Sequence, residues 1–267
     1  MAQHIITFTT DFGLNDHYVG AMKGVILNIN PEARIVDICN AVQSFDVLDG
    51  ALTLAQACQY FPRDTVHLVV IDPGVGTARR PILVTTATQI FLAPDNGVLS
   101  LVYQQSERIA VRHITAEHSF LQPVSRTFHG RDIFAAVAGH LSKGVGPENF
   151  GDEVSDYVRF AAPHPKMLNG VLKGTVIKVD KFGNLVTNIT PEDLPALFGA
   201  APPPFRIVVG RQEVTQMRLA YAEGASGEVF AIVGSMGYLE IAANRAAAAQ
   251  LAGAAKGSEI SVELKGN

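Results

Sequence analysis

The chain has 267 residues, 48% of them hydrophobic, enough for a full core and for two domains. A formal net charge of -4 argues against the basic face of a nucleic-acid binder. No apolar run approaches the roughly 18 residues of a membrane span, so no membrane partner is expected.

The opening M-A-Q-H-I-I-T-F lacks a cationic segment followed by an apolar one, so the expectation is no signal peptide and a cytoplasmic location. Ile5 to Thr10 reads as a first strand, ended by Thr10-Asp11-Phe12-Gly13, which leaves Asp11 at a strand end. Asp16 follows, just ahead of a helix marked by Tyr18, Met22, Val25 and Ile26 at near-helical spacing. Its plainest reading is a charge favouring the helix N-terminus. Ile35 to Ile38 reads as a short strand, and Gly50 to Tyr60 as a helix stopped near Pro62. Cys39 and Cys58 lack metal-ligand spacing and read as small, partly buried hydrophobes.

The next stretch, Val66 to Arg80, organises the chain: V-H-L-V-V-I-D-P-G-V-G-T-A-R-R. Val66 to Ile71 is a mostly apolar, β-branched run of the kind buried on both faces of a sheet. It stops at Asp72-Pro73-Gly74, because proline lacks the ladder donor and glycine permits a turn. A carboxylate at the end of a buried strand, followed by a Gly-rich loop and paired arginines, is where an open α/β sheet keeps its ligand. The same residues also suit a tight turn capped by Asp72, and this stretch leaves both readings open.

Ile82 to Thr86 and Gln89 to Ala93 read as further strands, and Pro94-Asp95-Asn96-Gly97 as a turn into a helix from Val98 to Tyr103. Thr127-Phe128-His129-Gly130-Arg131-Asp132 precedes an amphipathic helix that puts Ile133, Phe134, Val137 and Leu141 on one face. Asp132 suits an N-cap or first-turn position, and His129, just upstream, is either incidental or aimed into a cleft.

From Phe160 to Gly170 the composition shifts to that of a linker. Beyond it short strands are predicted over Val171–Val179, Leu185–Ile189, Phe205–Val209, Glu228–Val233, Tyr238–Ile241 and Glu259–Leu264. Helix is expected only over Ala246–Ala252 and Pro191–Phe198. The division is therefore an α/β domain with a central, largely parallel sheet over residues 1–162, a linker over 163–169, and a smaller all-β, barrel-like domain over 170–267. The second domain carries two unusual turns, Asp180-Lys181-Phe182-Gly183-Asn184 and Ser235-Met236-Gly237-Tyr238. A hairpin turn explains the glycine and asparagine of the first, but requires neither its acid nor its aromatic residue.

Taken in order, T-T-D-F-G, D-P-G-V-G-T-A-R-R, P-D-N-G, T-F-H-G-R-D, D-K-F-G-N and G-S-M-G-Y-L-E-I-A span nearly the whole chain. As a set they resemble the S-adenosylmethionine hydroxide adenosyltransferases, relatives of enzymes that set fluoride or chloride against the same substrate. The resemblance implies hydrolysis of S-adenosyl-L-methionine to adenosine and L-methionine, without a cofactor or metal. It implies a homotrimer whose substrate lies between the first domain of one subunit and the second domain of its neighbour. It places an Asp-Arg-His set on Asp72, Arg79 and His129, to prepare water for attack on the ribose 5′ carbon. By the same likeness Asp11 holds the ribose hydroxyls and Phe45 walls the ribose pocket. Asp16 and Asp180 face the methionine amino group, Phe182 and Asn184 meet the adenine, Ser235 stands near the methionine carboxylate, and the backbone around Arg245 borders the base. Gly130 stands where the fluorinating relative has a fluoride-contacting serine, and Asp72 where halide-using relatives lack an acid, so both imply water as the nucleophile.

Departures from the family pattern are Cys39-Asn40, Met236 and Ala243, and Arg80 beside Arg79 leaves open which arginine faces the site. Two further readings stand beside the hydrolase: a metal-dependent hydrolase built on Asp11, Asp16, Asp72, Asp95 and His129, and a nucleoside-binding module without turnover.

Overall fold

The structure is a computed structural model that describes residues 5–199 and 201–265, so the signal-peptide reading rests partly on residues outside it. Apolar β-branched runs, each closed by Asp, Gly or Pro, supply the strands of a first unit that ends at Ala161. These are β1 (Ile5–Thr10), β2 (Arg34–Cys39), β3 (Val66–Val70), β4 (Pro81–Thr86), β5 (Ile90–Pro94) and β6 (Ile109–His113), in the order β2-β1-β3-β5-β4-β6. Pairing is parallel from β2 through β1 and β3 to β5, and β4 runs antiparallel to both β5 and β6, so the sheet is mixed. The edge strand β6, with Arg112 and His113 in its short run, went unpredicted.

Both faces of this sheet are covered. The helices α1 (Tyr18–Ile29) and α4 (Ala136–Ser142) lie on one face, where Met22, Ile26, Phe134, Val137 and Leu141 pack on Ile6, Phe8, Leu68 and Val70. On the other face, α2 (Val47–Cys58) and α3 (Ser100–Gln105), with Leu99 at the α3 cap, pack Leu54, Cys58, Leu99 and Val102 on Val69, Ile71, Ile82 and Phe91. Two-sided burial is why β3 reads as a mostly apolar run, broken only by His67. The helix α2 begins ahead of the expected Gly50, because Asp46 caps it by accepting from the Asp49 amide at 3.0 Å. The helix expected around Ile133 opens instead as a π-helical turn over Gly130–Ala135 before α4 takes over.

The connections leaving β1 and β3 diverge. From β1 the chain crosses through α1 to β2 on one side, then returns through α2 on the other face to β3. The carboxyl ends of β1 and β3, paired at Thr10 and Val70, therefore flank a switch point, where an open α/β sheet leaves a crevice.

The second unit begins at Ala162. Within the stretch read as a linker, Lys166–Leu168 forms β7 and pairs with β8 (Val171–Val179). With β9 (Leu185–Thr187), β10 (Phe205–Val209), β11 (Gln212–Val214), β12 (Val229–Val233), β13 (Leu239–Ala243) and β14 (Glu259–Leu264), it builds a sheet ordered β11-β10-β14-β8-β9-β13-β12. Every pairing between these strands is antiparallel. Met217, just past β11, bridges Ala231 in β12, so the sheet nearly closes on itself as a barrel around Val176, Leu185, Ile207, Leu239, Ile241 and Ile260. The short helix α5 (Ala248–Ala252) lies against this core. The expected helix over Pro191–Phe198 reduces to a 3₁₀ turn at Pro195–Leu197, since Pro195 removes a helical donor mid-stretch.

Candidate active site

At the carboxyl end of β3, two loops of the first unit come together. After β3, Val75 donates to the Asp72 carbonyl and Thr77 to that of Gly74, two overlapping turns that bring the chain back on itself. Gly76 is required there: its φ is +77°, and a Cβ would stand 2.1 Å from the Arg126 carbonyl oxygen of the second loop. The folded turn sets Arg79 against Asp72, with Arg79 Nε donating to Asp72 Oδ1 at 3.0 Å and Nη2 donating to Oδ2. Arg79 Nη2 also lies 2.9 Å from His129 Nδ1. Arginine carries no acceptor, so Nδ1 accepts and the His129 proton sits on Nε2.

This pair is buried, with 6% of the Asp72 side chain and 9% of the Arg79 side chain exposed. Burial, then the Arg79 charge, lowers the His129 pKa from its ordinary value, which keeps the imidazole neutral. The Arg79 guanidinium stands 5.5 Å over the Phe134 ring, and its Nη1 is buried without a hydrogen-bond partner. A donor held in this way is free for a ligand oxygen. The choice between the arginines is equally plain. Arg80 turns away, binding Asp95 through Nε and Nη2 at 3.0 and 2.7 Å and Asp156 through Nη1 at 2.7 Å.

The π-helical turn holds His129 in place. Asp132, fully buried, accepts from the Ser125 amide at 2.8 Å and from Arg131 Nε at 2.6 Å, tying the second loop to the turn. Asp132 therefore sits in the first turn rather than at the cap, which is His129, and anchors the loop from there. Gly130 is buried beside Met22 and Phe128, where a Cβ would approach the Met22 sulfur to 3.2 Å. Phe12, Tyr18 and Phe128 form a mutual aromatic cluster next to it, with Tyr18 and Phe128 edge to face at 5.2 Å. Reading the sequence did not pick out this wall. Only the fold brings residues from two distant loops together.

Asp11, at the end of β1, accepts from the Phe45 amide at 2.8 Å. Phe45 is held at φ +65° with its ring largely exposed. Asp16 is exposed and does not cap α1, whose first turn contains no acid. Asn96 holds the turn, donating to the Ile71 carbonyl at 2.8 Å, while Asp95 clamps Arg80 and the Val158 amide. Asp11, Asp16, Asp72, Asp95 and His129 do not converge as a group of three metal ligands.

The second unit has its own cavity of about 730 Å³ on the outer face of the barrel. Lys178, Val186 and Glu240 lie side by side on β8, β9 and β13 as its floor. Asp180, Phe182, Asn184, Ser235 and Arg245 also line it, so it gathers the five second-domain residues to which the family resemblance gives a role. Asp180 organises its own loop. Oδ1 accepts from the Phe182 and Asn184 amides at 2.9 and 2.8 Å, and Oδ2 from Asn184 Nδ2 at 2.9 Å. Asn184 is buried, the Phe182 ring is exposed, Ser235 is exposed in its turn, and Arg245 has φ +56°. Tyr221 and Glu240 complete the lining and were not anticipated. Their signal was faint: in L-E-I-A-A the alternation sends Leu239, Ile241 and Ala243 inward and Glu240 to the opposite face.

Residues 6–151 match a family model described as SAM hydroxide adenosyltransferase N-terminal domain, and residues 174–261 the corresponding C-terminal domain model. A protein of Salinispora tropica named (R)-S-adenosyl-L-methionine hydrolase is 37% identical, covering 96% of this chain and 97% of its own length. One of the same name from Thermus thermophilus is 34% identical, covering 96% and 98%. The crystal structure of an uncharacterized conserved protein from Thermotoga maritima superposes with a TM-score of 0.89 at 40% identity, covering 97% and 99% of the two chains. Among the described residues, no helix is long and apolar enough to cross a membrane.

Proposed function

Because the chain belongs to the S-adenosylmethionine hydroxide adenosyltransferase family, we propose that it hydrolyses S-adenosyl-L-methionine to adenosine and L-methionine. The observation that carries this reading is the Asp72–Arg79–His129 cluster at the carboxyl end of β3, in which the Asp72 and Arg79 side chains are buried and His129 is half-buried. The substrate's sulfonium leaves as a neutral thioether, taking the C5′–S bond pair, so no acid is needed. What must be supplied is a nucleophile: water forms the C5′–O bond and gives up a proton. Asp72 accepts that proton, Arg79 Nη1 faces the hydroxide-like oxygen, and neutral His129 orients the water through its Nε2 proton. Holding water in line with the carbon supplies several kcal/mol of the acceleration, on the order of what oriented intramolecular reactions gain.

Water rather than halide is favoured by two features. The Asp72 carboxylate repels an anion in a dry site, and Gly130 presents no hydroxyl to one. Asp11, whose Oδ2 holds the Phe45 amide, binds the ribose hydroxyls, with the Phe45 ring beside them. Phe182 and Asn184 meet the adenine, next to the backbone at Arg245. Asp16 and Asp180 take the ammonium and Ser235 the carboxylate of the methionine part. Asp180 retains acceptor capacity for this, since a carboxylate offers about four sites and the loop uses three.

The working unit in this reading is a cytoplasmic homotrimer needing no cofactor or metal, each site shared between the first domain of one subunit and the second domain of another. Mixing Asp72→Asn with Asn184→Ala protein then restores activity that neither has alone, and no restoration refutes the shared site. Turnover is expected to survive EDTA. The deciding experiment is incubation with S-adenosylmethionine in ¹⁸O-labelled water, with Asp72→Asn alongside. Labelled adenosine and unlabelled methionine, lost in the variant, support the reading. Bound substrate with no adenosine overturns it in favour of a binding module.

A further inference from the structure

The cavity of the second unit holds a pair that the proposed chemistry leaves unused. Glu240 is 5% exposed on β13, and its Oε2 accepts from the Tyr221 hydroxyl at 3.1 Å. Its other oxygen is seated under the turn that follows β12, where a Cβ on Gly234 would stand 1.8 Å from Oε1. A side chain there would displace the carboxyl from this seat. The Tyr221 hydroxyl is thus a direct tie on this buried acid. Burial raises its pKa, with the Asp180 charge adding to the effect, and Tyr221 is pushed up to about 12 by burial and by Glu240.

Burying an acid is costly, and the hydrogen bond from Tyr221 offsets part of that cost while fixing the hydroxyl that donates it. What it positions is the Tyr221 ring, which is 44% exposed on a cavity whose other exposed aromatic ring is Phe182. Two rings on one cavity beside a buried amide make a slot for a flat heteroaromatic base. Tyr221 reaches this slot from a 3₁₀ turn over Tyr221–Glu223, between β11 and β12, so the hydrogen bond ties its ring to β13.

We propose that Glu240 is a positioning residue for substrate recognition: through the Tyr221 hydroxyl it fixes that ring as a wall of the base-binding slot. This deepens the hydrolase reading and rests on it for the identity of the base.

The test uses the full-length protein, with adenosine binding by calorimetry and KM and kcat for S-adenosylmethionine. Tyr221→Phe keeps the ring and removes the anchor, so the adenosine Kd and the KM rise about 2- to 10-fold, as loss of one hydrogen bond predicts, with the loss falling on KM rather than kcat. Glu240→Gln offers the same acceptor and is expected to stay within about twofold of wild type in both. Glu240→Met weakens binding as Tyr221→Phe does, and the double variant is no weaker than either single one, because both remove one interaction. Unchanged binding in Tyr221→Phe, or additive losses in the double variant, overturns the proposal. Wild-type protein that binds adenosine and shows the same pattern without turning over S-adenosylmethionine refutes the hydrolase reading and leaves the pair's role standing. Wild-type protein that fails to bind adenosine overturns the proposal itself.

Discussion

Arg79 is the residue whose replacement tests the active-site reading most directly. Its fork holds both oxygens of Asp72 and the Nδ1 of His129, with 9% of the side chain exposed. Replacement by methionine keeps the volume but leaves Asp72 as an unpaired buried charge, which costs about 3–5 kcal/mol. Lysine keeps the charge but, as a point donor, cannot bridge Asp72 and His129 in one geometry. Urea denaturation should therefore separate them, with Arg79→Met down by about 3 kcal/mol or more and Arg79→Lys within about 1 kcal/mol of wild type. Both should lose about 10²-fold or more in kcat, because misplacing one reacting partner by about 1 Å is enough for that. The pH profile carries a second readout. In wild type, burial and the Arg79 charge lower the His129 pKa, so the acid limb of kcat/KM falls below the ordinary histidine value of about 6.5. In Arg79→Met the lowering by Arg79 is gone while the raising effects of Asp72 and Asp132 remain, so the limb moves to higher pH. Arg79→Lys with wild-type kcat, or Arg79→Met with an unmoved acid limb, refutes the proposed cluster.

The neighbouring arginine should behave oppositely. Arg80→Ala leaves Asp95, 3% exposed, with only the Val158 amide, so thermal melts should show a loss of about 2 kcal/mol while kcat stays within about twofold; a collapse of kcat in folded protein would contradict this assignment. Gly76→Ala forces a Cβ into the Arg126 carbonyl at φ +77° and should cost about 2 kcal/mol or more, with a fall in kcat as the Asp72 loop shifts, read by denaturation and initial rates. His67 gives a pH signature independent of the site. It is fully buried on β3, stacked on Phe91 at 4.9 Å, and burial lowers its pKa to about 4. Above pH 6.5 neither state binds its proton. Between about 6.5 and 4 the unfolded chain takes a proton that the folded chain refuses, so stability drops by about 3 kcal/mol across that window. Replacing His67 with glutamine should flatten this part of the curve.

The parts of the fold set by local pattern were legible. The run from Val66 to Ile71 and its Asp72-Pro73-Gly74 stop define β3 and the site loop, because a strand covered on both faces is mostly apolar and proline must end it. Spacing likewise placed Met22 and Ile26 on the buried face of α1. Short edge elements were not legible: β6, β7 and β11 are brief and partly exposed, so their pairing partners define them rather than their own residues. Nor was the π-helical turn at Gly130–Ala135, which the tie between Asp132 and Ser125 helps to secure.

At the site itself, the types and order of the residues pointed to the proposed chemistry: acids at strand ends, a histidine before a helix, and an aromatic and an amide around a glycine. Tertiary structure decided the assignments. Arg79 and Arg80 are indistinguishable as neighbours in sequence, and only the two turns after Asp72 aim one at His129 and the other at Asp95 and Asp156. Glu240 looked like an ordinary polar residue in a strand until the barrel buried it against Tyr221. The physical reason is the same in both cases: a side chain's charge and shape are local, whereas the groups that desolvate it and bond to it come from distant segments.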